Sequence, residues 1–499
     1  VLSHLVVVHY HLRPGGVRRV IELALPAIAA ACQSLECVTL AVGEAADEEW
    51  IERLRRALGR VRLGVHCDPA FHYASEADGE LPGLAVERAL RHADAVWVHN
   101  PALGRNLPLV RALSASAAKR EIPLLFHHHD FWFENRWARW REMRAAGGTS
   151  LDVVARAFFA PRAVHATINR FDHEVLHRHF GERAVWLPNP APRAPEPAPE
   201  RVRAAREWLA RELGDNAPVW LCPTRLLRRK NLAEAILLAR WLRPEAWLVT
   251  TAAVSSDDER DYAHRLQAAA ERHSWRVRFE LVARNGDAAP GIAELKAASE
   301  AVLLTSVQEG FGLPYVEAVA ARRPLLARRL PNVMPDLERW GFSLPHTYDE
   351  VWIDADCLDL PREHERQRKV WGAWRSLLPE TCLTLAKRQK LGTPLPFSRL
   401  TLEGQLEVLA RDSEETWGRC ARWNPLLREW RPLAAAGALQ IAEWPEDADR
   451  ELGGEACARR FLDALKVDSR VEADAAKRAQ NDFIRQRLGA GFLIPLLMQ

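Results

Sequence analysis

AVLLTSVQEGFGLPYVEAVAARRPLLA, residues Ala301–Ala327, decides how this chain folds. AVLLT is an apolar run of strand length bounded by polar residues, and Pro314 stands where a helix tolerates proline, in its first turn. Between them Gly310 and Gly312 let main-chain N–H groups approach a ligand closely. The helix behind them offers unpaired N–H groups and the positive end of its dipole to an anion. Glu309 precedes the loop and Glu317 lies in the helix's first turn, eight positions on. Strand, glycine loop and helix start make a phosphate cradle with a carboxylate at each end. These carboxylates suit sugar hydroxyls on one side and ribose hydroxyls on the other. An ordinary strand–turn–helix with surface glutamates would carry the same spacing.

The second stretch in the same half is PTRLLRRKNLAEA, Pro223–Ala235. It also follows an apolar strand, Val219–Cys222, and leads into a helix near Asn231, with Glu234 as a capping-box variant. Arg225 and Lys230 converging on a pyrophosphate would neutralise a departing nucleoside diphosphate. Arg228 and Arg229 add local charge. A solvated basic turn is the alternative for this segment alone. Two such loops at strand ends of one domain make the shared site the sharper reading. Further strands are expected at Trp247–Thr250 and Arg278–Val282.

In the amino-terminal half, a strand over His4–His9 leads into HLRPGGVRRVIEL and a helix from Val17 to about Ala31. Gly15 and Gly16 form a turn that admits a phosphate or sugar. The G-x-G-x-x-G spacing is missing, which disfavours a nicotinamide cofactor. Strands at Ala95–His99 and Pro123–His127 end in WVHNPALG and FHHHDFWFENRW. They place His99, Asn100, His129, Asp130 and Trp132 at strand ends as candidate sugar or acceptor contacts. A metal here would need ligands from elsewhere in the chain.

Pro188–Glu200, with six prolines, reads as a stiff extended linker. The units are then 1–187, 188–200 as linker, and 201–470 with a helical, Trp-rich extension from about 345. Residues 471–499 form a final helix and tail returning to the first domain. The fold class is α/β, with two Rossmann-like parallel-sheet domains facing across a cleft. The 499 residues carry a net charge of +3 and eight scattered cysteines without a C-x-x-C pair. A general polyanion or nucleic-acid binder, a zinc ribbon and a disulfide scaffold are thereby disfavoured. The opening shows no signal-peptide pattern and no apolar run reaches membrane-span length, so a cytoplasmic protein is expected. Peripheral membrane contact remains open.

Taken in order, PGGVRRVIE, VWLPNP, PTRLLRRKN and EGFGLPYVEAVA resemble the retaining GT-B glycosyltransferases of family 4 over roughly residues 4–330. The resemblance makes Glu309 and Glu317 the E-x7-E pair. It implies that Arg225 and Lys230 hold the donor diphosphate, Glu309 the sugar hydroxyls and Glu317 the ribose. The loop Gly310, Phe311, Gly312 and Leu313 would meet phosphates or sugar, Gly16 with Gly15 would approach the pyrophosphate, and His129 would face the donor sugar. It further implies a hexosyltransferase using a nucleoside-diphosphate sugar as co-substrate, with no other cofactor and no metal. The acceptor would be a glycan, a small hydroxylated metabolite or a lipid-linked sugar. AARRP at Ala320–Pro324 departs from the family's small, glycine-bearing turn. Asp354–Asp356 and Asp447–Asp449 spell D-x-D outside a nucleotide-binding context. A GT-B sugar-nucleotide epimerase, or an inactive nucleotide-sugar-binding scaffold, would carry the same motifs.

Overall fold

Apolar runs rich in β-branched residues, such as HLVVV and AVWVH, suit interior strands of a parallel sheet covered by helices. The computed structural model describes residues 1–74, 82–254, 256–388, 391–469 and 471–499. Its first unit holds a parallel sheet of β1 (His4–Val8), β2 (Cys37–Val42), β3 (Arg62–Cys67), β4 (Ala95–His99), β5 (Leu124–His128), β6 (Val164–Thr167) and β7 (Ala184–Trp186). Their order is β3-β2-β1-β4-β5-β6-β7. Four of these strands carried little signal. No residue of the edge strand β3 is buried, β6 and β7 are four and three residues long, and β2 sits among helix-like charges.

The second unit repeats the winding with β8 (Val219–Arg225), β9 (Trp247–Ala252), β10 (Val277–Arg278), β11 (Ala301–Leu304), β12 (Leu325–Arg328) and β13 (His346–Tyr348). Its order is β10-β9-β8-β11-β12-β13, again parallel. The strand expected over Arg278–Val282 is cut to β10. Glu280 takes a left-handed backbone, φ 60°, and Leu281–Asn285 turns helical. In both sheets the order reverses direction beside the first strand, between β1 and β4 and between β8 and β11. Open α/β sheets bind ligands at the carboxyl ends of strands flanking such a switch point. The Gly-Gly turn follows β1, the His99–Asn100 turn follows β4, the Arg225–Lys230 loop follows β8 and the Glu309 loop follows β11.

The Trp-rich extension has a packing role in the second unit. Helix Leu232–Leu242 is apolar nearly all round, and every residue but Arg240 is buried. A helix of that kind must be covered on all sides. The sheet covers one side; helices Leu402–Leu409, Ser413–Cys420 and Pro425–Ala435 cover another. Trp417 meets Trp241 edge-on at 5.5 Å, and Trp241 Nε1 donates to Thr416 Oγ1 at 3.0 Å.

The chain divides into Val1–Pro192, Leu377–Lys387 and Asp447–Phe492 as one unit, and Arg193–Ser376, Arg388–Glu446 and Leu493–Gln499 as the other. The second unit therefore does not run continuously to 470. The chain rejoins the first unit at Asp447, because helix Gly454–Ala464 buries its small face on helix Gly16–Ala31. A Cβ on Gly454 would lie 2.8 Å from Ala27 Cβ, and Phe461 packs on Trp97 at 4.8 Å. The last seven residues join the second unit, where Ile494 and Leu496 enter its core. The proline-rich segment is extended as far as Ala198, but Pro199 and Glu200 already open helix Pro199–Leu213.

Candidate active site

The second unit's site is built on the loops after β8 and β11. Lys230 is buried at the end of a single helical turn, Arg228–Lys230, and its Nζ bonds Glu309 Oε1. Arg229 Nη1 reaches the other carboxylate oxygen at 2.9 Å, and Ser306 Oγ donates to Oε1 at 2.6 Å. Bonds to main-chain carbonyls lock the two loops together: Val307 N donates to Arg229 O at 2.8 Å, and the Thr305 hydroxyl Oγ1 to Lys230 O at 2.9 Å. Asn332 Nδ2 donates to Glu309 O at 2.5 Å. Burial alone would raise the Glu309 carboxyl, but Lys230 and Arg229 outweigh it and hold the group down at about 2. Burial, followed by repulsion from Arg229, lowers Lys230 against the pull of Glu309. Burial and then Arg229 likewise lower Arg225, at the end of β8. Lys230 and Glu309, singled out from sequence, thus meet. Arg229, read only as extra charge, is a direct partner of Glu309, and Ser306 and Asn332 carried no signal by themselves.

Gly312 caps helix Leu313–Ala320 at φ 86°, a conformation that favours glycine. A Cβ there would lie 2.4 Å from Val333 Cγ1, so the loop fits only without a side chain. Phe311 is buried against Trp340, rings 5.7 Å apart, which leaves its main chain rather than its ring to meet a ligand. Glu317 is partly exposed and bonded by the buried Lys296, a partner the sequence reading did not name.

In the first unit Gly15 and Gly16 are exposed at the start of helix Gly16–Ala31, which has no side-chain cap. A Cβ on Gly16 would meet nothing within 4 Å, so its value is main-chain access rather than tight packing. Asn100 takes a left-handed backbone, φ 59°, after β4. Its Oδ1 accepts from Asp130 N at 2.9 Å and His129 N at 3.3 Å, and its Nδ2 donates to Asp130 Oδ2 at 3.3 Å. Arg136 pairs with Asp130 at 2.9 Å. Asn100 and His99 were expected as sugar or acceptor contacts. Both are buried, and Asn100 spends its side chain shaping the His129–Asp130 turn. Trp132, expected as a stacking platform, is fully buried against Trp137 and Trp140. Its indole is too large and apolar to leave the core cheaply. His129 and Asp130 are the partly exposed members of the group. His99, His127 and His129 each bring one ring nitrogen within 4.8 Å of the others, a grouping that the expectation of no metal did not include.

A separate cavity of about 330 Å³ in the second unit lies among Trp352, Trp371, Arg399, Pro394, Leu493 and Met498, away from the Glu309 loop. Among the described residues no helix is long and apolar enough to cross a membrane.

No known protein-family profile matches this chain. Mannosylglucosyl-3-phosphoglycerate synthase of Petrotoga mobilis is 25% identical over 384 residues, 73% of this chain and 72% of that protein. MMP alpha-(1->4)-mannosyltransferase of Mycolicibacterium hassiacum is 35% identical over 108 residues, 19% of this chain and 26% of that protein. Among solved structures, Anabaena Alr3699/HepE in complex with UDP-glucose matches 93% of this chain and 99% of its own, with TM-score 0.51 at 14% identity. A glycosyltransferase from Rickettsia africae matches 93% and 98%, with TM-score 0.51 at 12% identity. Two Rossmann-like parallel-sheet domains in one chain are the GT-B-like fold of these structures, and the chain's distant homologues are glycosyltransferases.

Proposed function

We propose that the protein is a retaining glycosyltransferase that moves a hexose from a nucleoside-diphosphate sugar to an acceptor hydroxyl, without a metal in the transfer step. The observation that carries this reading is the joined pair of loops at the β8/β11 switch point, with Lys230, Arg229 and Glu309 held together beside a glycine loop and a helix start. In transfer, the bond between the anomeric carbon and the diphosphate oxygen breaks and one to the acceptor oxygen forms. Positive charge grows on the sugar ring and negative charge on the leaving group. Lys230 and Arg225, with the amides of Gly312 and Leu313, stabilise that diphosphate charge, and Lys230 does so from a position already fixed by Glu309. Glu309 keeps Lys230 and Arg229 in position and accepts from sugar hydroxyls; Glu317, steadied by Lys296, accepts from ribose hydroxyls. Gly15, Gly16 and His129 are assigned to the donor by the family resemblance. Retention follows from front-face attack, in which the departing phosphate takes the acceptor's proton, so no protein base is required.

Both relatives carry a mannosyl group in their names, and the HepE structure contains UDP-glucose. A mannose-bearing and a glucose-bearing nucleotide therefore lead a thermal-shift panel of UDP, GDP and ADP sugars. A preferred donor raises the melting temperature by mass action. With that donor, Lys230→Ala is expected to lose turnover by orders of magnitude while circular dichroism stays unchanged. Wild-type turnover by a folded Lys230→Ala protein would end the assignment, and inversion at the anomeric centre of the product would end the retaining mechanism.

A further inference from the structure

The geometry points to a divalent transition-metal site in the first unit, formed by His99, His127 and His129 and suited to Zn²⁺. The site arises from strand pairing. His127 and His129 are two residues apart at the end of β5, so their side chains share a face. β4 pairs with β5 in parallel with His99 opposite His127, which brings the third imidazole to the same edge. One nitrogen from each ring lies within 4.8 Å of the others, and His99 Nδ1 is 3.0 Å from His129 Nε2. Ligands around a tetrahedral zinc stand about 3.3 Å apart, given bonds of about 2.0–2.1 Å. Small ring rotations close the gap.

Two further observations favour a cation over a closed hydrogen-bond network. His127 Nε2 lies 3.0 Å from Leu187 O. A carbonyl only accepts, so the proton of the neutral ring sits on Nε2 and Nδ1 keeps its lone pair. A metal-binding histidine is held in this way, its far N–H given to a main-chain carbonyl. His127 Nδ1 is buried and has no hydrogen-bond partner among the described residues. Buried polar atoms left so are rare and call for an occupant. Besides those rotations, seating the ion requires that the donor of the His99–His129 pair carry its proton on its other nitrogen. The ion would pin the ends of β4 and β5 and fix the His129 ring while leaving that ring's second nitrogen for other contacts. No transfer step passes through it.

The test uses the full chain, treated with chelator and titrated with Co²⁺ in the absence of any nucleotide sugar. It is run in a His177→Ala background, because His173 and His177, one helix turn apart with rings 5.3 Å apart, could bind cobalt independently. One equivalent of Co²⁺ is expected, with the visible ligand-field bands of a low-coordinate imidazole site and an upward melting shift when Zn²⁺ replaces it. His127→Asn and the partly exposed His129→Asn should each abolish the bands. If His127→Asn does not fold, His129→Asn decides. No uptake by the metal-depleted protein, or bands that survive a folded His129→Asn variant, would overturn the site. Neither result bears on donor binding, which is read separately.

Discussion

Lys230→Met tests whether the Lys230–Glu309 contact is an energetically coupled buried pair or two groups that merely lie together. Both side chains are under 10% exposed. Removing one partner of a buried ion pair typically costs about 3–5 kcal/mol, because the remaining charge stays desolvated. Here the loss is moderated. Arg229 still reaches Glu309 Oε2 at 2.9 Å and Ser306 still donates to Oε1 at 2.6 Å, so the expected cost falls below that range, at about 2–3 kcal/mol. Glu309→Gln in the Lys230→Met background removes the stranded charge. Arg229, itself about one-third exposed, can then hydrate. The double variant should recover about 1–2 kcal/mol relative to the sum of the single variants, which is the coupling energy of the pair. Urea unfolding of all four proteins, followed by tryptophan fluorescence, closes the cycle. Turnover separates the two roles: stability should return in the double variant while transfer does not, since the cation for the diphosphate is gone. Additive single effects, or a double variant that transfers sugar, would refute the reasoning.

Three other outcomes are expected. Glu309 sits at about 2 against an ordinary 4.5. Its folded pKa is therefore below its unfolded one, and its stabilisation, about 3 kcal/mol, is complete above pH 4.5 and drains as pH falls toward 2. The stability gap between wild type and Glu309→Gln should narrow over that window; a gap independent of pH counts against the assignment. Arg487 is buried and bonds Glu134 at 2.8 Å and Asp172 at 2.5 Å. Arg487→Met should cost the first unit about 3–5 kcal/mol; a urea melt checks this. Gly312→Ala forces a Cβ to 2.4 Å from Val333 Cγ1 at φ 86°, for an expected loss of about 1–3 kcal/mol. Adding Val333→Ala should restore part of it, and donor affinity measured by calorimetry should fall with the loop's displacement.

What could be read without coordinates was local. Apolar strands, glycine turns and helix starts place Gly16, Arg225, Lys230, Glu309, Gly312 and Glu317 at strand ends, because each signal lies within a few residues of the group it positions. Arg229 was visible as charge, but its target was not, since a basic loop does not say which carboxylate 80 residues away it will face. Trp132 and the extension's Trp417 illustrate the reverse failure. Composition marks them as striking residues, and only packing shows that both are core.

By itself the sequence determined two α/β units and the strand-end loops that form their candidate sites, since those features depend on short-range periodicity and backbone preference. Tertiary structure alone decided the rest. Strand pairing set His99 opposite His127, 28 positions away. Helix packing drew Asp447–Phe492 back into the first unit. Ion pairing joined Arg487 to Asp172 across more than 300 residues. In each case the deciding energy comes from burying groups remote in sequence against one another, and no local pattern in the chain encodes which of them will meet.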